Sequence, residues 1–151
     1  MSRAKMQVLV IPFFQEGNSV QYCIFRRADM GIWQFIAGGG EANETPLETA
    51  RRETREETGI GPNAVFHQLA SICSIPTQIF SERIRADWGE ECLVIPEYAF
   101  AARVHAMEIV LSAEHGKYRW VDYHTALQLL KFDSNKTALW ELDQKIKQKR
   151  I

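Results

Sequence analysis

Three glutamates, Glu53, Glu56 and Glu57, stand out in this 151-residue chain because of their spacing. At about 100° per residue they fall on one face of a helix, in the i, i+3, i+4 relation. Two carboxylates about 4 Å apart repel by roughly 1 to 4 kcal/mol, depending on the effective dielectric constant. A solvated charged helix is the simpler interpretation, but such a helix would disperse these charges or pair each one with a lysine. Hard oxygen ligands on one face suit Mg²⁺ or Mn²⁺, so we predict a metal site here.

The local sequence predicts a helix around these residues. Thr45 can cap its start, Pro46 suits the first helical position, and Glu48 completes a capping box with Thr45. Gly59, followed by Gly61-Pro62, signals the end of the helix. The face opposite the glutamates carries a thin apolar stripe, made of Leu47, Ala50 and Thr54.

A glycine-rich stretch, Gly38-Gly39-Gly40, comes just before the helix and is predicted to form a turn that lets the backbone approach a ligand closely. Turn and helix together read GGGEANETPLETARRETREETGI. This stretch resembles the signature of the Nudix hydrolases: Gly, five residues, Glu, seven residues, Arg-Glu, an aliphatic residue, any residue, Glu-Glu, any residue, Gly and an aliphatic residue. Thr54 departs from that pattern because it stands where the family prefers an aliphatic side chain.

The resemblance implies an α/β/α sandwich with a mixed β-sheet and metal-dependent hydrolysis of a pyrophosphate linkage. It also implies the metal ligands, which would be Glu53, Glu56, Glu57 and a backbone carbonyl of Gly38. Arg52 would orient the glutamates through Glu44 or Glu56. The general base is either a signature glutamate or one further along the chain, where Glu97 is the first candidate and Glu114 the next.

Two arginines and a tryptophan before the signature are candidates for substrate binding. Arg26 and Arg27 end a predicted strand, and they are either phosphate contacts or solvated charges at a sheet edge. Trp33 either borders the substrate pocket or packs in the core.

The segment Thr77 to Glu91 is predicted to be an irregular loop, and a loop of this length in a compact domain is more often functional than filler. Trp88 would stack on a base or pterin while Arg83 and Arg85 pair with phosphate. The alternative is a surface loop that one buried tryptophan holds in place.

The pattern of the remaining chain is typical of strands and helices that alternate in an α/β fold. Strands are predicted at 6–14, 20–27, 31–37, 64–75, 98–104 and 118–121, and helices at 123–131 and 135–146. The first two strands are predicted to form a hairpin, and Pro12 indicates a sheet edge or a bulge.

Composition excludes several classes of protein. Apolar residues make up 46% of the chain, charged residues 25%, and the net charge is −1. Because the chain has neither a global basic field nor a basic run, we expect no nucleic acid and no membrane as partner. Its length suits a single domain over residues 1–151. Cys23, Cys73 and Cys92 lack metal-ligand spacing, so we expect reduced thiols in a cytoplasmic protein. A homodimer is compatible with the sequence.

Three stretches beyond the signature narrow the resemblance to one group within the family. Pro96-Glu97 entering a strand, followed by AEHGKYRWVD and FDSNKTAL, is most similar to the bacterial dihydroneopterin triphosphate pyrophosphatases. This implies a triphosphate substrate that is cleaved to pyrophosphate and a monophosphate, with dihydroneopterin triphosphate first and dATP next. The alternatives are a hydrolase of dinucleoside polyphosphates or nucleotide sugars, and a Nudix-fold nucleotide-binding regulator without turnover.

Overall fold

The computed structural model describes residues 2–113 and 115–151. The described elements are, in order, β1 (Arg3–Glu16), β2 (Ser19–Arg27), β3 (Trp33–Gln34), β4 (Ile36–Glu41), α1 (Pro46–Thr58), β5 (Val65–Pro76), a 3-10 turn (Thr77–Ile79), α2 (Glu82–Trp88), β6 (Val94–Arg103), β7 (His115–Val121), α3 (Tyr123–Leu129) and α4 (Asp133–Lys147).

The strands form one mixed sheet with the order β3-β2-β1-β6-β5, in which β4 also pairs with β1 and β7 with β2. Side chains on a strand alternate between the two faces of its sheet. Accordingly, Val8 of β1 packs in a cluster with Ala50 of α1, whereas Leu9 packs in a second cluster with Leu139 of α4. Helices therefore cover both faces, which confirms the predicted α/β/α sandwich.

Strand β1 lies at the centre of the sheet, so the prediction that Pro12 marks an edge or a bulge was wrong. β1 pairs with β6 on one side and with β4 and then β2 on the other. Pro12 falls between Val10, the last residue paired with β4, and Phe13, the first paired with β2. Proline lacks an amide hydrogen, and here it stands where β1 changes partner.

The glycine-rich stretch forms a strand, not the predicted turn. Gly38 and Gly39 belong to β4 and pair with Val8 and Gln7 of β1. The glycines are needed because side chains from other elements fill the space where a Cβ would stand. A Cβ at residue 38 would collide with the carboxyl group of Glu53, and one at residue 39 with the guanidinium of Arg3.

The segment Thr77 to Glu91 is also more regular than predicted. It contains the 3-10 turn and the seven-residue helix α2, which Ser81 caps by accepting a hydrogen bond from the amide of Ile84. The mixture of polar and apolar residues that indicated a loop is instead the pattern of a short helix that buries only Trp88.

Strand β5 lies at an edge of the sheet, and its pairing with β6 shifts register between Gln68 and Ile72. At this irregularity the carboxylate of Glu141, on α4, accepts hydrogen bonds from the amides of Ala70 (2.6 Å) and Ser71 (2.8 Å). One side chain thus satisfies two strand amides that β6 does not pair. No helix among the described residues is long and apolar enough to cross a membrane.

Candidate active site

Helix α1 has the start and end that its sequence predicts. Thr45 and Glu48 form a complete capping box, and Gly59 ends the helix in a left-handed conformation with φ 70°. Ala50 and Thr54 are buried, as expected of the packing face, but Leu47 is exposed and does not extend the apolar stripe. The helix therefore presents its glutamate side beside β4.

Arg52 fixes the acidic side of α1 against β4. Its Nε and Nη2 donate to the two carboxylate oxygens of Glu44 at 2.8 and 2.9 Å, and Nη2 also donates to the carbonyl of Gly39 at 2.9 Å. Nη1 donates to Glu53 at 3.0 Å and Glu56 at 3.2 Å. The hydrogen bonds from Arg52 are the main cause that lowers the pKa of Glu44 to about 2, and hydrogen bonds from the Glu41 amide and the Thr49 hydroxyl lower it further. Arg52 contacts both of its predicted partners.

Glu53 lies against the backbone of Gly38, where only a glycine leaves room for its carboxyl group. Burial is the main cause that raises the pKa of Glu53 to about 7, and the charge of Glu57 raises it further, while Arg52 opposes the shift. The site therefore holds a carboxyl group that binds a proton more readily than an exposed glutamate does.

Glu57 is buried and contacts a residue that the sequence analysis did not single out. Its Oε2 lies 2.8 Å from Nε2 of His115, which is also buried and packs beside Phe25 with ring centroids 5.4 Å apart. The segment before β7 brings His115 there, because its Val110 amide donates to the carbonyl of Thr58 at the end of α1. His115 lies in the stretch AEHGKYRWVD, which the sequence analysis compared with a known group of enzymes without assigning a role to the histidine. Glu114 lies outside the described residues.

A cavity of about 730 Å³ opens beside these groups. Its charged lining combines carboxylates with arginines, namely Glu41, Glu53, Glu57, Asp29, Arg3, Arg27 and Arg52. The glycines of β4 form part of its wall. An acidic surface beside several guanidinium groups can accommodate cations and phosphates together, because each offsets the charge of the other.

The donor atoms suit a divalent cation in type, since Glu53, Glu56 and Glu57 offer carboxylate oxygens and β4 offers backbone carbonyls. Among the described residues, however, no three His, Cys, Asp or Glu side chains are close enough together to ligate an ion as they stand. Arg52 bonds one carboxylate oxygen of Glu53 and one of Glu56, and His115 faces one oxygen of Glu57.

The candidates that precede the signature lie at different distances from this cavity. Arg27 lines it and pairs with Asp29 at 2.8 Å. Arg26 is not part of the lining and donates to the carbonyl of Gly31 at 3.1 Å. Trp33 is half-buried and packs against the core cluster that contains Leu139, which agrees with the alternative of a core aromatic.

Glu97 does not join the signature glutamates. It lies on β6 beside Ala99, whose cluster packs on α4, and so faces away from α1. There it lines a second cavity of about 280 Å³ with Cys73 and Ser134. Gln7 donates to Glu97 at 2.7 Å, and burial raises the pKa of the Glu97 carboxyl. Gln7 also lines the first cavity, so it connects the two.

Trp88 is 7% exposed, and its indole nitrogen donates to the carbonyl of Arg3 at 2.8 Å. Its ring makes an edge contact with Phe80, with ring centroids 5.2 Å apart. This packing agrees with the alternative interpretation, in which a buried tryptophan holds the segment in place. Arg83 lines a further cavity of about 780 Å³ that shares Ser2 and Arg3 with the first, and Arg85 is exposed on α2.

The NUDIX domain family matches residues 4–141 of this chain. The dihydroneopterin triphosphate diphosphatase of Escherichia coli strain K12 is 31% identical over 147 aligned residues, with 89% of each chain covered. The RNA pyrophosphohydrolase of Halorhodospira halophila is 38% identical over 104 residues, but this chain spans only 57% of its length. A Listeria monocytogenes protein assigned to the NUDIX hydrolases superimposes with a TM-score of 0.84 and 42% identity, with 95% of both chains covered.

These relationships agree with the sandwich fold. Nudix hydrolases cleave phosphoric anhydride linkages in nucleotide-like substrates and generally use divalent cations. This chain belongs to the Nudix hydrolase family.

Proposed function

We propose that this protein hydrolyses the triphosphate of a small molecule with a purine-like or pterin ring, releasing pyrophosphate and a monophosphate. Dihydroneopterin triphosphate is the first candidate and dATP the second. The observation that carries the proposal is the 730 Å³ cavity, in which the signature carboxylates face several arginines. The similarity to dihydroneopterin triphosphate diphosphatase over 89% of both chains supports this substrate class.

The signature residues would hold Mg²⁺ or Mn²⁺ through Glu53, Glu56, Glu57 and the carbonyl of Gly38. When bound, such ions offset negative charge on the phosphate oxygens. Arg52 positions Glu53 and Glu56 through one guanidinium group, so that both carboxylates are held beside β4. Arg27 would contact a phosphate after exchanging Asp29 for it.

The proton of the attacking water would pass to a signature carboxylate, Glu53 or Glu56. A general base must lie within hydrogen-bond reach of the proton that it takes. Glu97, the first downstream candidate for the base in the sequence, faces the opposite side of the sheet, so its position favours the alternative of a signature glutamate.

The second cavity offers a place for the ring of the substrate. Burial raises the pKa of the Glu97 carboxyl, and its oxygens offer a polar contact to the edge of a ring. Asp133 and Ser134, at the start of α4, add polar groups to the same cavity. Gln7 lines the first cavity and bonds Glu97, so a ring held here could extend its phosphates toward α1.

The decisive experiment compares turnover of dihydroneopterin triphosphate, deoxynucleoside triphosphates, dinucleoside polyphosphates, nucleotide sugars and 5′-triphosphorylated RNA with Mg²⁺ or Mn²⁺. We expect a small triphosphate to be the best substrate, with pyrophosphate and monophosphate formed in equal amounts. Faster turnover of a dinucleoside polyphosphate, a nucleotide sugar or RNA would contradict the proposed substrate class. Tight nucleotide binding without turnover of any compound would indicate a regulator.

A variant at the second cavity tests the ring site separately. Glu97→Gln keeps the shape of the side chain and an acceptor oxygen for Gln7, whereas Glu97→Leu removes every polar atom of the side chain. We expect Glu97→Leu to raise the Michaelis constant for the best triphosphate about 10-fold or more, with a smaller change for Glu97→Gln. A large loss of kcat without a change in the Michaelis constant in both variants would instead support Glu97 as the base.

A further inference from the structure

The arginines that line the 730 Å³ cavity differ in how their donors are used. Arg52 donates through all three of its nitrogens to carboxylates and a carbonyl. Arg27 makes two hydrogen bonds to Asp29. Arg3, in contrast, makes no ion pair and no side-chain hydrogen bond among the described residues, and its Nε is buried without a partner there.

The guanidinium of Arg3 is nevertheless held in a defined place. On one side it fills the space that a side chain at Gly39 would occupy. On the other side it lies over the ring of Phe80, 5.2 Å from the ring centroid, in a cation–π contact. The carbonyl of the same residue accepts the hydrogen bond from the indole of Trp88. Both main chain and side chain of Arg3 are therefore positioned before any ligand arrives.

Arg3 also stands where two cavities meet. It lines the cavity of the signature glutamates and the further cavity that Arg83 lines. The charge of Glu53 acts on Arg3, but no carboxylate among the described residues bonds its guanidinium. A half-buried guanidinium with unused donors is costly unless an anion satisfies it, and its planar fork matches phosphate.

We propose that Arg3 is a phosphate-binding residue of this site, which takes non-bridging oxygens of the substrate's phosphate chain through the donors that the protein leaves unused. This proposal rests on the proposed function, since it adds a phosphate contact to the same cavity. The segment from Phe80, just after the 3-10 turn, to Trp88 then has an indirect role: Phe80 and Trp88 position Arg3, and Arg3 contacts the ligand.

The test uses inorganic tripolyphosphate as the probe and calorimetric binding in EDTA at low ionic strength, so that neither metal nor turnover is required. We expect Arg3→Gln to weaken tripolyphosphate binding by about 10- to 100-fold relative to the unmodified protein. Arg3→Lys keeps the charge but loses the fork, so it should weaken binding less than Arg3→Gln. Lys5→Gln removes the same charge from an exposed position on the same strand and should leave binding unchanged.

The outcomes separate this proposal from the proposed function. If the unmodified protein does not bind tripolyphosphate, or if folded Arg3→Gln binds it as tightly, the proposal about Arg3 is overturned even when triphosphates are hydrolysed. If binding depends on Arg3 but no small triphosphate is hydrolysed, Arg3 is a phosphate site and the proposed substrate class fails. Should Arg3→Gln melt at a much lower temperature, Arg3→Lys decides, because it keeps the charge but loses the fork: weaker binding supports the phosphate contact and unchanged binding overturns it. Weakening by Lys5→Gln equal to that by the Arg3 variant would reduce the effect to net charge and would also overturn the proposal.

Discussion

Nε2 of His115 lies 2.8 Å from Oε2 of Glu57, and this contact joins the start of β7 to the last turn of α1. The two side chains are 2% and 5% exposed, so water does not compete for the carboxylate. A buried carboxylate without a partner destabilises a protein strongly. His115 therefore positions a signature glutamate from a distant part of the chain.

Replacing His115 should destabilise the fold, and the loss should be larger when the new side chain cannot donate a hydrogen bond to Glu57. We expect His115→Leu to lower the free energy of unfolding by about 1 to 3 kcal/mol, because Glu57 loses its buried partner. His115→Gln keeps a nitrogen donor, so its loss should be smaller. Urea denaturation in EDTA measures both, and equal losses would show that ring packing against Phe25 matters more than the hydrogen bond.

Removing the charge of a signature glutamate should abolish turnover but not the fold. We expect Glu53→Gln and Glu57→Gln each to lower kcat by several orders of magnitude while the circular dichroism spectrum stays native. Glu90→Gln, an exposed carboxylate outside α1, is the matched control and should retain activity. Near-normal turnover in both signature variants would mean that these carboxylates do not hold a catalytic metal ion.

Glu53 should couple metal binding to pH. Its pKa is raised to about 7, so the metal-free site holds a proton near neutral pH that an incoming cation must displace. We therefore expect Mn²⁺ affinity to fall as pH decreases below about 7. Calorimetry in buffers with different ionisation enthalpies should detect proton release on binding, and Glu53→Gln should lose this release.

The raised pKa of Glu53 also predicts how the free energy of unfolding changes with pH when EDTA keeps the protein free of metal. A folded-state pKa above the usual value of 4.5 means that stability is lost as pH rises from about 4.5 to about 7. Glu53→Gln cannot ionise, so at pH 8 we expect it to be more stable than the unmodified protein by about 1 kcal/mol or more. Below pH 4.5 the two proteins should have the same free energy of unfolding.

Thr54 offers a stabilising substitution. It is buried on the packing face of α1, and among the described residues its hydroxyl has no hydrogen-bond partner. Thr54→Val has nearly the same shape and removes the unsatisfied group, so we expect a gain of about 1 kcal/mol. Thr58→Val is the contrasting control, because the hydroxyl of Thr58 donates to the carbonyl of Thr54 at 2.6 Å. A loss of stability in Thr54→Val would contradict the assignment.

Substitutions of Trp88 test whether its main role is to pack in the fold. We expect Trp88→Ala to lower the free energy of unfolding by about 3 to 5 kcal/mol, because it leaves a cavity beneath α2. Trp88→Phe keeps an aromatic ring but loses the hydrogen bond to the carbonyl of Arg3, so its cost should be about 1 kcal/mol. An unchanged stability in Trp88→Phe would mean that the hydrogen bond to the carbonyl of Arg3 does not help to hold the segment in place.

Local signals predicted α1 well because its determinants lie within the helix itself. Thr45, Glu48 and Gly59 set its ends through hydrogen bonds to neighbours only a few residues away. The signature spacing likewise placed Arg52 beside Glu44, since both belong to the same short stretch. Features of this kind require no knowledge of the sheet.

Features that depend on long-range packing could not be predicted in the same way. Gly38 and Gly39 were interpreted as a turn because glycine has no side chain, yet the reason for that absence lies in Glu53 and Arg3. His115 reaches Glu57 across 58 positions of the chain. Glu97 was a candidate for the base because of its position after the signature in the sequence. The face of the sheet on which its side chain lies depends on the register of β6, which the sequence alone does not give.

The hydrogen bonds from the amides of Ala70 and Ser71 to Glu141 have a consequence for how this protein behaves among its own copies. An edge strand invites other chains to add to it, and natural proteins interrupt such edges. Here a helix carboxylate occupies two amides midway along β5 and divides the strand into two short halves. Glu141→Ala would expose that edge to other copies of the protein. We expect the variant to aggregate on storage, as measured by light scattering, while its catalytic activity is unchanged.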